Sequence, residues 1–556
     1  MSDYLDLGAY SRSITTASPE AQVWFDRGLN WVFGFWHEEA VACFKKALEA
    51  DPDCAMAWWG VAYALGPNYN MPWQLYDAKG LAGAVSGAFD AMQAAHDRMG
   101  PCSEGEKALI QALAARTPQR DPLDDPKAMR DWDTAFADAM EAAHNAMPQD
   151  LDVRAIYVEA IMNMTPWRMW DLPTGKPYKY ARTEAAMACL DDAFQNIPAS
   201  WDHPGLLHLH VHLMEMSPFP ERALATGDRL RTMMPDSGHI VHMPTHIDVL
   251  CGNYHDVLFW NRRAVEADSK ARALRGDMNF YTLYRQHNFH FAIYGAMFLG
   301  QYDPAMEFAE ALIESVPEGL LQIESPPMAD FLEGRLAMKQ HVLVRFGKWE
   351  EIIAQDLHED GKLYAATNAM ILYAKGVAHA ALGQIAEAEA MRDAFHEACA
   401  RVPESRRVHN NTCLDLYEVG AEMLNGEIEY RKGNFEAAFA HLRKSVELDD
   451  NLPYDEPWGW MQPTRHALGA LLLEQGHVEE AEAVYRADLG LDPTLSRACQ
   501  HPDNPWALHG LHECLMRRGA KAEAIMVKQR LDIAGARADV PITASCFCRM
   551  ERMAAE

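Results

Sequence analysis

One turn keeps returning along this chain, and it narrows the possible folds more than any other feature. Gly252-Asn253-Tyr254, Gly300-Gln301-Tyr302, Gly347-Lys348-Trp349 and Gly433-Asn434-Phe435 each place an aromatic residue two positions after a glycine, and Gly383, Gly476 and Gly519 mark further turns. Prolines follow at Pro235, Pro317 and Pro493. The clearest unit is 21–54, with Trp24, Gly28, Ala40, Phe44, Ala47 and Pro52 at unit positions 4, 8, 20, 24, 27 and 32. Small residues at 8 and 20 let two helices approach closely, the aromatic residues fill the gap, and the proline stops the second helix. Counting back from the turns places units near 204, 238, 286, 333, 369, 419, 462 and 505. The first of these rests on Ala223 and Pro235, because its turn, Pro218-Phe219-Pro220, has no glycine. One such helix pair cannot bury its apolar face alone, so the pairs must stack.

The spacing in 21–54 resembles the tetratricopeptide repeat (TPR) consensus. The fold this implies is all-α, a TPR-type helical-hairpin solenoid wound as a right-handed superhelix. With no clear linker, the expected organisation is one continuous array. It would comprise N-terminal units over 1–99, an irregular helical segment over 100–203, His-rich units over 204–302, and C-terminal units over 303–556. The last region carries a Pro- and Trp-rich loop at 451–463 and a Cys-x-Cys tail, and 272–285 read as an insertion between units.

Several classes are disfavoured by composition. A formal net charge of −30 repels phosphate backbones, so nucleic acid is not an expected partner. No run approaches 18 apolar residues, so no membrane span is expected. The N-terminal residues are acidic and lack the apolar run of a secretory signal. The eleven cysteines form no Cys-x-x-Cys pair and read as reduced thiols of a cytoplasmic protein. There is no P-loop, no dinucleotide fingerprint after a strand, no His-Glu-x-x-His and no Gly-x-Ser-x-Gly elbow.

The histidines carry the chemistry. Ten of 24 lie between 203 and 290. His208, His212 and Glu215 take positions 5, 9 and 12 of one unit; His239, His242 and His246 take 2, 5 and 9 of the next; His287 and His290 take 2 and 5 of the third. Positions three and four apart form one stripe on the first helix of each pair, so these eight side chains should converge on the concave groove. His466 and His509 recur at position 5 in later units, whereas His210 and His255 fall off the stripe and read as structural. Imidazoles with one carboxylate suit zinc, copper or iron and disfavour calcium or magnesium. In His242-Met243-Pro244-Thr245-His246, Pro244 is expected in the first turn of a helix, with His242 just before it.

Here the chain resembles a large family of bacterial TPR-containing proteins with His-rich concave helices. The matching segments are His203-Pro204-Gly205, Pro220-Glu221-Arg222-Ala223, His242-Met243-Pro244-Thr245-His246-Ile247 and His287-Asn288, with Trp58-Trp59-Gly60, Gly66-Pro67-Asn68, Glu456-Pro457 and Pro463-Thr464-Arg465 elsewhere. The resemblance implies the TPR fold and a shared histidine site, and supplies no substrate.

Three functions fit these residues. The first is a metal-dependent enzyme acting on a small molecule in the lumen of the superhelix, by hydrolytic or oxidative chemistry, with Glu215 as ligand or general base. Trp167, Trp170, Tyr294, Tyr454, Trp460 and Arg465 would then contact substrate, although Arg465 also fits an ion pair in helix packing. The second is a peptide- or protein-binding scaffold, whose histidine groove would favour an acidic peptide. The third is a metal store or carrier. Cys546 and Cys548 are a candidate soft-metal or redox pair.

Overall fold

A computed structural model of the protein describes residues 4–549. The architecture is all-α, built from successive antiparallel helix pairs. The described strands are two short ladders, Trp170–Asp171 against Lys176–Pro177 and Arg407–Val408 against Asn411–Thr412. The chain divides into two compact units. The first runs as far as Ile247 and takes in Glu266–Leu274; the second comprises Asp248–Val265 and the described residues from Arg275 onward. That border falls inside the stretch 204–302.

In the first unit, helix Pro19–Phe33 pairs with His37–Ala50, and Ala55–Leu65 with Ala78–Arg98. The Phe44 ring sits where the repeat spacing requires an aromatic residue. A Cβ on either Gly28 or Gly60 would lie 2.6 Å from that ring, so two helices touch it with bare backbone. Residues 100–203, which fit the repeat pattern poorly, are still helical: Glu104–Leu113, Arg130–Ala146, Leu151–Asn163 and Thr183–Asn196.

The helix Pro204–Met214 begins at a built cap. His203 Nδ1 accepts the backbone N–H of Leu206 at 3.1 Å, and its Nε2–H points to Asp152 Oδ1 at 3.3 Å. Asp152 is itself held by Arg12 at 2.7 Å. Pro204 then occupies the first turn, where a missing N–H costs nothing. Gly205 brings this helix against Phe33, whose ring would lie 2.5 Å from an added Cβ.

The next element is broken. Gly238–His242 forms one short helix and Thr245–Leu250 another, with Met243 and Pro244 between them. His242 therefore closes a helix instead of preceding one, which corrects the sequence expectation. Proline can neither continue the backbone hydrogen-bond ladder nor avoid the preceding turn. Two three-residue bonds, His246 N–H to Met243 and Ile247 N–H to Pro244, bridge the break.

In the second unit the recurrent glycines do one job. Gly252, Gly300, Gly347, Gly383, Gly433, Gly476 and Gly519 all have positive φ, and in each case the next N–H reaches back five residues, as Asn253 does to Asp248 and Gln301 to Ala296. This is the left-handed helix ending that glycine adopts without steric penalty. The chain then closes on itself within this unit: Asp539 N–H bonds Gly300 O, and Ser545 Oγ donates to His466 O at 2.7 Å.

Gly28→Ala should push a methyl group into the Phe44 ring and destabilise the protein by about 1–3 kcal/mol through overpacking. Urea denaturation checks this; an unchanged midpoint would mean that Phe44 can step aside.

Candidate metal centre

Two elements of the first unit supply the site. His208, His212 and Glu215 come from Pro204–Met214 and its C-terminal end, and His239, His242 and His246 from the broken helix. All six are buried, none more than 2% exposed. The ligating atoms of His208, His212 and His239 lie within 4.8 Å of one another.

The hydrogen bonds fix which ring nitrogens carry protons. His208 Nδ1–H donates to the Phe33 carbonyl at 2.6 Å, which leaves the lone pair on Nε2, and that nitrogen is buried without a hydrogen-bond partner. Glu215 accepts from both neighbours: His212 Nδ1–H reaches Oε1 at 3.0 Å and His246 Nδ1–H reaches Oε2 at 2.8 Å. Both rings therefore turn their Nε2 lone pairs away from the carboxylate. His246 Nε2 lies 2.7 Å from His242 Nε2. Two lone pairs at that distance repel unless a proton or a metal ion lies between them. Burial, followed by neighbouring imidazoles, pushes His208 and His239 far below the ordinary histidine range, so both are neutral. Neutral imidazoles with a carboxylate on the far nitrogen form the arrangement that orients ligands around a transition metal.

Sequence reasoning missed the lid of this cluster. The Phe35 ring lies 4.5 Å from that of His208 and stacks on His212 and His239 at 5.6 and 5.7 Å. Phe35 has φ +56°. Its N–H reaches Val32 and the next N–H reaches Trp31, the same pattern as at the seven glycines. A bulky side chain thus occupies a left-handed position that every other turn of this kind gives to glycine. The sequence Gly34-Phe35-Trp36 carries the same Gly-x-aromatic spacing, but the left-handed residue is Phe35 and not Gly34. Tyr69 also went unnoticed; its ring lies 5.0 Å from His212 and 5.6 Å from Trp167.

Trp167, itself at φ +52°, donates its backbone N–H to Tyr69 Oη at 3.1 Å. Trp170 places its indole N–H on the Leu213 carbonyl at 2.7 Å. His210, off the stripe, bonds Thr226 Oγ1 at 2.7 Å. His287 and His290 belong to the second unit. There His287 packs on Phe291 at 5.1 Å, and His290 Nε2 meets Met461 Sδ at 2.9 Å. His255 is exposed beside Asp256. Tyr294 is buried against Phe298, Asn410 donates to the carbonyl of Tyr454, and Trp460 meets His341 edge-on at 4.8 Å. Arg465 is engaged in a two-pronged ion pair with Asp450. His466 uses both nitrogens, donating to Asp488 at 2.9 Å and accepting from Arg345 at 2.9 Å, which leaves no lone pair for a metal. His509 is half-buried, and desolvation lowers its pKa.

A tetratricopeptide repeat family model matches residues 37–65, which are the helices His37–Ala50 and Ala55–Leu65. The chain is a TPR-repeat-containing protein. Among solved structures it is similar to human IFIT1, a dimer with m7Gppp-AAAA, at 12% identity over 93% of this chain and 95% of that one, with a TM-score of 0.36. Yeast Tom70 is similar at 11% identity, over 92% and 98%, with a TM-score of 0.30. Cut9–Hcn1 of the APC/C follows at 12% identity, 93% of both chains and a TM-score of 0.25. No curated protein sequence matches the chain. None of the described helices is long and apolar enough to cross a membrane.

Phe35→Gly should keep the turn, since eight others use glycine there, Gly490 included, yet lower stability. Losing a buried ring costs about 3–5 kcal/mol, more than the roughly 1–3 kcal/mol of backbone strain released. Chemical denaturation reads the difference; a variant as stable as the parent would remove Phe35 from the packing of the cluster.

Proposed function

We propose that this protein is a TPR-type binding scaffold that holds a transition-metal ion, zinc, copper or iron, on the buried imidazoles of its first unit. His208, His212 and His239 would be the ligands, with Glu215 as the carboxylate that orients His212 and His246. The observation that carries this reading is the His208 ring: its Nδ1 proton is committed to Phe33, and its Nε2 lone pair is buried with no hydrogen-bond partner. A buried acceptor left unsatisfied is costly, and a metal ion satisfies it. Nitrogens on one tetrahedral zinc are about 3.4 Å apart, given Zn–N bonds of about 2.1 Å. The trio, within 4.8 Å, would close slightly on the ion.

The test is elemental analysis of the purified protein beside His208→Ala and His212→Ala, with folding followed by circular dichroism. The expected outcome is a bound metal in the parent, lost in both variants, with helicity retained. Glu215→Gln should weaken binding by about 10–100-fold, the usual effect of removing a carboxylate behind a ligand. A parent that neither retains nor takes up any of the three metals sinks the proposal.

A second reading is favoured by the number of ligands. Three imidazoles leave a fourth position on a tetrahedral ion, as catalytic sites do and saturated structural sites do not. That position would admit water or a small molecule, with hydrolytic or oxidative chemistry. Azide titration of the copper- or iron-loaded protein separates the two: a spectral shift supports an open position, and no shift supports the scaffold alone.

A further inference from the structure

The second unit contains a separate reactive feature. Cys546 and Cys548 are joined as a disulfide, and the other nine of the eleven cysteines are outside any disulfide. This corrects the expectation that all are reduced, and it concerns two residues only two positions apart. A cross-link that closes so short a loop removes little entropy from the unfolded chain, so it is a poor structural staple. Both sulfur-bearing residues line a small pocket, together with Arg345, Glu427, Trp460 and His466.

The surroundings favour a thiolate. Cys546 Sγ accepts the backbone N–H of Cys548 at 3.2 Å. Two guanidinium groups hold the segment: Arg345 donates to Ser545 O at 3.2 Å, and Arg431 to Cys548 O. Arg345 is buried, stacked on the Trp506 ring at 3.8 Å, and donates to Ser545 O and to His466, which itself donates to Asp488. The acid in the pocket, Glu427, is neutralised by Arg431 at 2.7 Å. An N–H donor on a sulfur lowers the thiol's pKa and makes it more reactive. Cys546 is partly exposed and Cys548 is buried, so the two sulfurs are not equivalent to an incoming reagent.

We propose that Cys546–Cys548 is a thiol–disulfide exchange site for low-molecular-weight thiols, with the partly exposed Cys546 as the sulfur they attack. A thiolate attacks Cys546 Sγ, the sulfur–sulfur bond breaks, and Cys548 leaves as a thiolate that takes up a proton. A second thiolate attacks the thiol's own sulfur in the mixed disulfide, releasing an oxidised disulfide and Cys546 thiolate. Two external thiols are oxidised to one disulfide while the protein disulfide is reduced to a dithiol, and the reverse direction regenerates it.

The full-length protein is equilibrated natively with mixtures of reduced and oxidised glutathione, quenched by alkylation, and read peptide by peptide by mass spectrometry. The expected result is a pair that passes from disulfide to doubly alkylated as reduced glutathione rises, while buried Cys43, Cys413 and Cys514 stay unmodified until denaturant is added. Cys548→Ser with oxidised glutathione should gain a single glutathione on Cys546, and Cys546→Ser far less on Cys548. The proposal is overturned if the native pair keeps one oxidation state across all mixtures yet exchanges once unfolded, or if the serine variants are thiolated equally. The parent titration decides alone if either variant fails to fold.

Discussion

The first unit depends on one buried carboxylate. Glu215 takes an Nδ1–H from His212 in its own helical segment and another from His246 across the broken helix, one on each oxygen. A carboxylate removed from water is tolerated only when its lone pairs are used. Here those bonds do more than satisfy it, because they dictate tautomers. Each histidine must carry its proton on Nδ1, so each presents Nε2 on the side away from Glu215. The chemical character of the cluster follows from this single side chain. Exchange of Glu215 for an apolar residue would free both rings to rotate and change tautomer.

Two close fits keep that arrangement rigid. Gly205 allows Phe33 to press on the start of the His208 helix, which is what carries the Phe33 carbonyl to 2.6 Å from His208. Phe35, two residues later, accepts a left-handed backbone that glycine adopts freely elsewhere in the chain, and so lays its ring over three imidazoles. Strain of this sort persists where the surroundings over-determine it, and it concentrates at functional sites. The same short segment, Phe33-Gly34-Phe35, thus supplies both a hydrogen-bond acceptor and an apolar wall.

How much of this could be read from the sequence follows from the physics of each feature. The helix pairs were legible because glycine at a left-handed helix end leaves a repeated mark, and Gly252 through Gly519 bear it. The stripe of His208, His212, His239, His242 and His246 was legible because helical spacing of three and four is a local property. Pro244 was visible, but its effect was misplaced: it breaks a helix already begun at Gly238 instead of opening one. Phe35 was hidden because its residue type argues against the conformation it adopts. The division into two units depends on contacts distant in sequence, which no local pattern encodes. Arg465 was ambiguous for the same reason, since Asp450 decides its role.

The burial of so many polar rings carries a physical consequence of its own. Desolvation keeps His208 and His239 neutral, so proton uptake cannot settle the cluster without charging it in a place that water does not reach. The 2.7 Å approach of His242 Nε2 to His246 Nε2 adds a second demand, because the tautomer imposed on His246 by Glu215 leaves a lone pair on the facing nitrogen. A proton placed there would serve that pair alone and leave the His208 lone pair unsatisfied. A divalent ion answers several lone pairs at once, and it brings the positive charge that the Glu215 carboxylate can balance from behind the rings. On this argument the His208 Nε2 lone pair is the acceptor that an ion bound in the cluster would satisfy.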